Sequence, residues 1–161
     1  MNREILFKAK RKDNGKWVEG YYCKTTIGND VRPSDLIFVP FKVSRNEEWG
    51  WMKVDFDTIC QYTGLTDKNG KKIWENDIVR GHNNDDDLAR VVFGEFNVID
   101  VYTLETVDKV VGWHTEVIET DALSKCEPFC LPMPLTDLYI KRSEFEVFGN
   151  IFDNAELLEV E

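Results

Sequence analysis

Apolar residues alternate with polar ones over much of the chain, and the alternation breaks at turn-forming clusters. Residues 4–11 (EILFKAKR) and 17–23 (WVEGYYC) flank Lys12-Asp13-Asn14-Gly15-Lys16. Asn-Gly accepts the positive φ values of a tight turn, so this stretch predicts a β-hairpin. The device recurs: Tyr62-Thr63-Gly64-Leu65 leads into Asp67-Lys68-Asn69-Gly70-Lys71, and Ile73-Trp74 and Ile78-Val79 resume the apolar pattern. KDNGKWVEG and DKNGKKIWEND resemble each other loosely, and two hairpins sharing one turn chemistry explain that more simply than a duplication. Between them, residues 36–41 (LIFVPF) predict a strand that Pro40 confines to an edge or to its own end. Residues 51–56 place Met52, Val54 and Phe56 at the period of a half-buried strand.

The second half is less regular. Trp74-Glu75-Asn76-Asp77 reads as a polar turn feeding a short strand through Arg80. A charged loop follows at 83–87, and then strands over 90–93 and 96–103. Pro128, Pro132 and Pro134 exclude a continuous helix and point to an extended segment, so residues 104–142 read as a less regular insertion. Residues 135–142 form a short helix or an edge strand. After Phe145, Val147 and Phe148, Asp153-Asn154-Ala155-Glu156 has the spacing of a capping box before Leu157-Leu158. The expected fold is mainly β: small, strongly bent sheets or an SH3-like barrel, with the irregular insertion and a short C-terminal helix. No low-complexity linker divides the 161 residues, so a single domain over 1–161 is expected.

Charge adds a second layer. The chain carries 20 Lys+Arg against 30 Asp+Glu, a net charge of -10. Residues 1–80 carry a net +3 and residues 81–161 a net -13. The acidic total argues against a general DNA-coating protein, whose affinity comes from phosphate neutralisation. A hydrophobic fraction of 42% is enough for a packed core. The first residues lack the apolar run of a signal peptide, and no stretch approaches the ~20 apolar residues of a membrane span. Cys23, Cys60, Cys126 and Cys130 read as reduced thiols, so a cytoplasmic protein without membrane contact is expected.

The motifs of catalysis are missing. There is no Gly-x-Ser-x-Gly elbow and no Gly-rich phosphate loop, and Ser34, Ser44, Ser124 and Ser143 have no neighbouring His in sequence. His82 and His114 are the two histidines, and His114, within Gly112-Trp113-His114-Thr115, reads as a satisfied, half-buried side chain. Cys126-x-x-x-Cys130 has zinc half-site spacing that Cys23, Cys60, His82 or His114 would have to complete. No second paired motif exists, and Cys23 and Cys60 sit in apparent strands as small hydrophobes do. Asn83-Asn84-Asp85-Asp86-Asp87 offers oxygen ligands but lacks the EF-hand's glycine and terminal glutamate, and reads as a solvated loop. No catalytic residue, metal site or cofactor is assigned, and the chain is expected not to be an enzyme.

One surface has binding chemistry. The first hairpin, residues 4–23, carries Lys8, Lys10, Arg11, Lys12 and Lys16 beside Trp17, Tyr21 and Tyr22. Lys8 and Lys10 share one face of a strand, and a basic face beside aromatics can follow phosphates while stacking bases. The plainer alternative is a solvent face of alternating lysines, or edge charges that block unwanted pairing. The acidic second half would repel the same polymer.

The motifs together resemble the YopX family of small phage and prophage proteins. Arg3-Glu4-Ile5-Leu6-Phe7 with Trp17-Val18-Glu19-Gly20-Tyr21-Tyr22 forms the first matching block. The second is Gln61-Tyr62-Thr63-Gly64-Leu65-Thr66-Asp67-Lys68-Asn69-Gly70-Lys71 with Ile73 and Glu75-Asn76-Asp77-Ile78-Val79. The third is Phe148-Gly149-Asn150-Ile151-Phe152-Asp153-Asn154-Ala155-Glu156-Leu157-Leu158. This chain has Glu75-Asn76-Asp77 where the family usually has Glu-Gly-Asp, and Asn154-Ala155-Glu156 where Asn-Pro-Glu is common. The resemblance implies a mainly β protein that tends to self-associate, without an established biochemical function and without catalytic residues to carry over. The expected function is a non-enzymatic phage or prophage interaction protein, a homo-oligomer with an unidentified phage or host partner. In such an assembly, basic N-terminal and acidic C-terminal surfaces would meet across subunits. The second reading is a nucleic-acid-associated protein using the hairpin.

Overall fold

The computed structural model describes residues 4–40, 49–100, 102–120, 124–127 and 130–158. Arg3 and Phe41 of the sequence motifs, Ser44 and Pro128 lie outside these residues. The chain divides into two compact units, Met1–Gly64 and Leu65–Glu161, each mainly β as expected.

In the first unit, strands β1 (Phe7–Lys10), β2 (Trp17–Thr25), β3 (Ser34–Val39), β4 (Gly50–Lys53) and β5 (Cys60–Thr66) form an antiparallel sheet. Their order is β4-β3-β2-β1-β5, and β5 continues into the second unit. The predicted turn joins β1 to β2, with Gly15 at φ +68°. Ala9, Ile37 and Val54 are fully buried on the inner side, packed by Phe7, Val18, Val39 and Ile59. Gly20 makes the bend possible: a Cβ there would lie 2.1 Å from the Phe38 carbonyl oxygen. No other residue permits that approach. The sheet curls until Arg11 bridges Val54 and the Lys12 amide donates to the Lys53 carbonyl at 3.0 Å. One bridge is not a ladder, so the sheet is strongly bent and no barrel closes.

One strand limit agrees with the sequence pattern and one differs. β3 stops before Pro40, which has no N–H to donate. β4 stops at Lys53, and Phe56 opens a 3-10 turn, Phe56–Thr58, capped by the Asp55 carboxylate accepting from the Asp57 amide. Phe56 is therefore exposed and does not continue the Met52–Val54 alternation.

In the second unit, β6 (Lys72–Trp74) follows the second turn. β7 (Asp77–Arg80), β8 (Leu88–Ile99), β9 (Thr106–Val117), β10 (Met133–Pro134) and β11 (Glu146–Asn150) form a sheet in the order β10-β9-β8-β7-β11. Helix α1 (Asp137–Arg142) starts at Thr136, whose hydroxyl accepts from the Tyr139 amide, and turns Ile140 into the core. That core joins Ile73, Val79, Ala89, Val91, Leu135, Ile140 and Phe145. A second cluster, Ile78, Leu88 and Ile118, packs with Ile151 and Leu157. β7 contributes Ile78 to one cluster and Val79 to the other, so both of its faces are covered.

The insertion read as irregular is regular over its first third. β9 pairs with β8 from Ala89↔Val117 to Ile99↔Thr106, and β8 is one strand where two were predicted. Gly94 and Gly112, which look like strand breaks, lie opposite each other and let the ladder run through. At the end of the described chain, a 3-10 turn (Ala155–Leu158) replaces the capping box. Asp153, the cap position of that box, accepts instead from the Asn150 side-chain amide at 2.9 Å, and Glu156 accepts from the Asn154 side-chain amide at 3.2 Å.

Candidate functional site

The basic hairpin splits into two places. Register sets Lys10 opposite Trp17 and Lys8 opposite Glu19. Both ammonium groups lie over the Trp17 ring, at 5.1 Å for Lys8 and 5.5 Å for Lys10. The indole π-face attracts both cations and orders them as a pair. Arg11, one residue beyond β1, has a different partner. Asp13 binds it through Nε at 2.8 Å and through Nη2. This contact holds the Asp13 carboxyl below the usual carboxylate range.

Arg11 and Lys12 instead line a groove of about 360 Å³ with Asp13, Trp51, Met52 and Lys53. Lys53 reaches Asp30 at 2.6 Å. Lys16 stands exposed at the turn, its amide held by Asn14 Oδ1 at 3.0 Å.

Aromatic residues beyond the hairpin complete this surface. Tyr21 on β2 lies opposite Phe38 on β3, and Phe38 opposite Trp51 on β4. Phe38 and Trp51 stack tilted at 5.0 Å between centroids. Tyr21 is 48% and Trp51 52% exposed, unusually open for rings of this size. Tyr22 belongs to the other side of β2. Its hydroxyl donates to Asp35 at 2.7 Å, which pushes its pKa up to about 12. Alternation alone separates Tyr21 from Tyr22. The Trp51 row, by contrast, needs the β3 pairing, which no local pattern announces.

The remaining candidates sit in separate environments. His114 is buried, stacks on Phe96 at 4.5 Å and lies 3.2 Å from the Gly112 carbonyl through Nδ1. His82 is exposed, with φ +49°. Cys60 is buried and donates to the Thr58 carbonyl at 3.4 Å. Cys126 is exposed, and the Cys130 amide donates to its carbonyl. The 83–87 loop closes on itself through Asn84 N to the Gly81 carbonyl and Gly81 N to the Asp87 carbonyl. Among the described residues, no group of three or more His, Cys, Asp or Glu side chains gathers as a metal site.

The sequence motifs prove to be a clamp in the second unit. Asp67 Oδ1 accepts from the Asn69 and Lys71 amides, and its Oδ2 from the Val147 amide at 2.9 Å. The Lys68 amide donates to the Phe145 carbonyl. Glu146 binds Arg80 and Lys68 side chains, and the Arg80 contact lowers its pKa. Asn76 adopts φ +64°. Asparagine is among the few side chains that tolerate this region. Its Oδ1 also accepts from Arg90 at 2.6 Å. Asp77, buried to 1% exposure, accepts from the Trp74 amide at 2.8 Å. The DKNGK turn is therefore tied by folding to Phe145, Glu146 and Val147, immediately before the FGNIF segment.

These features define a small, two-unit antiparallel β protein whose signature residues hold strands and turns together. The chain belongs to the YopX family: the family model described as YopX protein matches residues 6–159. No curated protein matches the chain. No helix among the described residues is long and apolar enough to cross a membrane.

Proposed function

We propose that this chain is a non-enzymatic, self-assembling interaction protein of phage or prophage origin, and that the outer part of the β8–β9 hairpin makes the contact between copies. The observation behind this reading is the ribbon itself. β7 pairs with β8 only over residues 88–90, and β10 with β9 only at His114 and Thr115. Among the described residues, 93–99 and 106–113 therefore pair only with each other in the sheet. Val107, Val111 and Phe93 are exposed there, Val111 to 68%. A two-stranded ribbon is marginal alone, and open apolar edges are a template for further pairing. Glu95, Asp100, Glu105 and Asp108 against Lys109 make the ribbon acidic. Identical ribbons repel, which favours a head-to-tail contact with a different surface of the next copy, and such contacts close into rings.

Light scattering coupled to size exclusion at 50 and 500 mM salt tests the reading. The expected result is an oligomer that the Val107→Lys, Val111→Lys double variant converts to monomer while its circular dichroism stays unchanged. A wild-type chain that is monomeric at every concentration and salt overturns self-assembly. An oligomer that survives the double variant overturns the ribbon as its contact.

A further inference from the structure

We infer that the outer face of the first unit binds single-stranded nucleic acid, with Trp51 and Tyr21 as base-stacking platforms and the surrounding lysines on the phosphates. Three observations combine. The Tyr21–Phe38–Trp51 row presents two half-exposed rings flanking Phe38 on directly paired strands, with Phe38 bracing Trp51 from one side. Trp51 also forms a wall of the groove that holds Arg11, Lys12 and Lys53, so cations stand beside the stacking surface. On β2, Trp17 lies two alternations before Tyr21 and gathers Lys8 and Lys10 over its ring. Aromatic platforms with flanking cations suit a strand whose bases are free to splay, because every base has a π-face and a duplex hides it.

The carboxylates on this surface set the expected character of binding. Glu19 lies opposite Lys8, Asp13 holds Arg11 and Asp30 holds Lys53. These acids cancel part of the positive field, so stacking supplies most of the discrimination and the salt dependence is shallow. A slope corresponding to about two or three phosphate contacts is expected, each adding ~0.7 for a single strand. That pattern differs from a DNA-coating protein and agrees with the acidic whole.

The test is fluorescence anisotropy of labelled oligo(dT), oligo(rU) and a DNA duplex of equal length at 50 mM salt, using the full chain. Single strands are expected to bind, and the duplex at least ~10-fold more weakly. Trp51→Ala should weaken binding ~5- to 100-fold, the range of one lost base stack. Lys10→Glu with Lys12→Glu should weaken it and flatten the salt slope. Asp30→Asn should tighten it by releasing Lys53, an outcome that damage to the fold does not produce. The ribbon double variant should still bind, which separates this site from the assembly contact. No binding at 50 mM salt overturns the inference. So does equal binding of the duplex, or binding that Trp51→Ala leaves untouched, since either reduces the surface to an unspecific charge effect.

Discussion

The two Asn-Gly turns use almost the same residues for opposite purposes. At the first, Asp13 is exposed and commits its carboxylate to the Arg11 side chain, while the backbone closes itself through Gly15 N to the Arg11 carbonyl and Arg11 N to the Lys16 carbonyl. At the second, Asp67 is buried and receives three amides, one of them 80 residues away on β11. A hairpin that satisfies itself leaves its outer face open for ligands. One that needs a distant strand is bound to holding the fold. The matching residues Asp67 to Lys71 are accounted for by that role, and the first hairpin carries the surface chemistry.

Substitution at the two aspartates gives the sharpest contrast. Asp67→Ala removes the buried acceptor of three amides and is expected to cost about 3–5 kcal/mol in urea unfolding. A loss below about 1 kcal/mol would end the description of Asp67 as a clamp. Asn76 sharpens the same unit. Asn76→Ala should lose about 1–3 kcal/mol, through strain at positive φ and the lost Arg90 contact. Asn76→Gly should cost less than Asn76→Ala because glycine adopts that φ freely. Equal losses for the two variants would mean that the side-chain contact matters and the backbone conformation does not.

Alkaline pH addresses the first unit. The neutral Tyr22 phenol donates to Asp35, so its folded pKa is about 12, above the ~10 of an unfolded tyrosine. That stabilisation is complete below about pH 10 and disappears as pH rises through about 12. Absorbance at 295 nm should show a late-titrating phenol that is absent in Tyr22→Phe. Burial also delays Tyr139, which remains in that variant as the internal reference. The smallest effect belongs to Asp13→Ala. Its pair with Arg11 is exposed on the carboxylate side, and the urea unfolding midpoint should stay at the wild-type value.

Local chemistry makes the hairpins readable from residue order. Asn14-Gly15 and Asn69-Gly70 permit positive φ, alternation marks β2 and β5, and Pro40 ends β3. Alternation fails where pairing outweighs local preference. Gly94 and Gly112 look like strand breaks until they are found facing each other, and charged residues 105–109 look like loop until β8 supplies their partners. The candidate site is half legible for the same reason. Lys8, Lys10 and Trp17 are neighbours through one short turn, whereas Trp51 reaches the surface only through β3 and the curl at Gly20.

The sequence alone therefore determined the β class, the turn positions, the family and the opposed charges of the two halves, because each depends on residues close together or on simple sums. Tertiary structure decided which aspartate is buried, where Arg11 points, how far β8 and β9 extend, and which aromatics share a face. Those outcomes rest on hydrogen bonds and packing between segments as far apart as Asp67 and Val147, 80 residues along the chain. The energy of such contacts has no local signature in the chain.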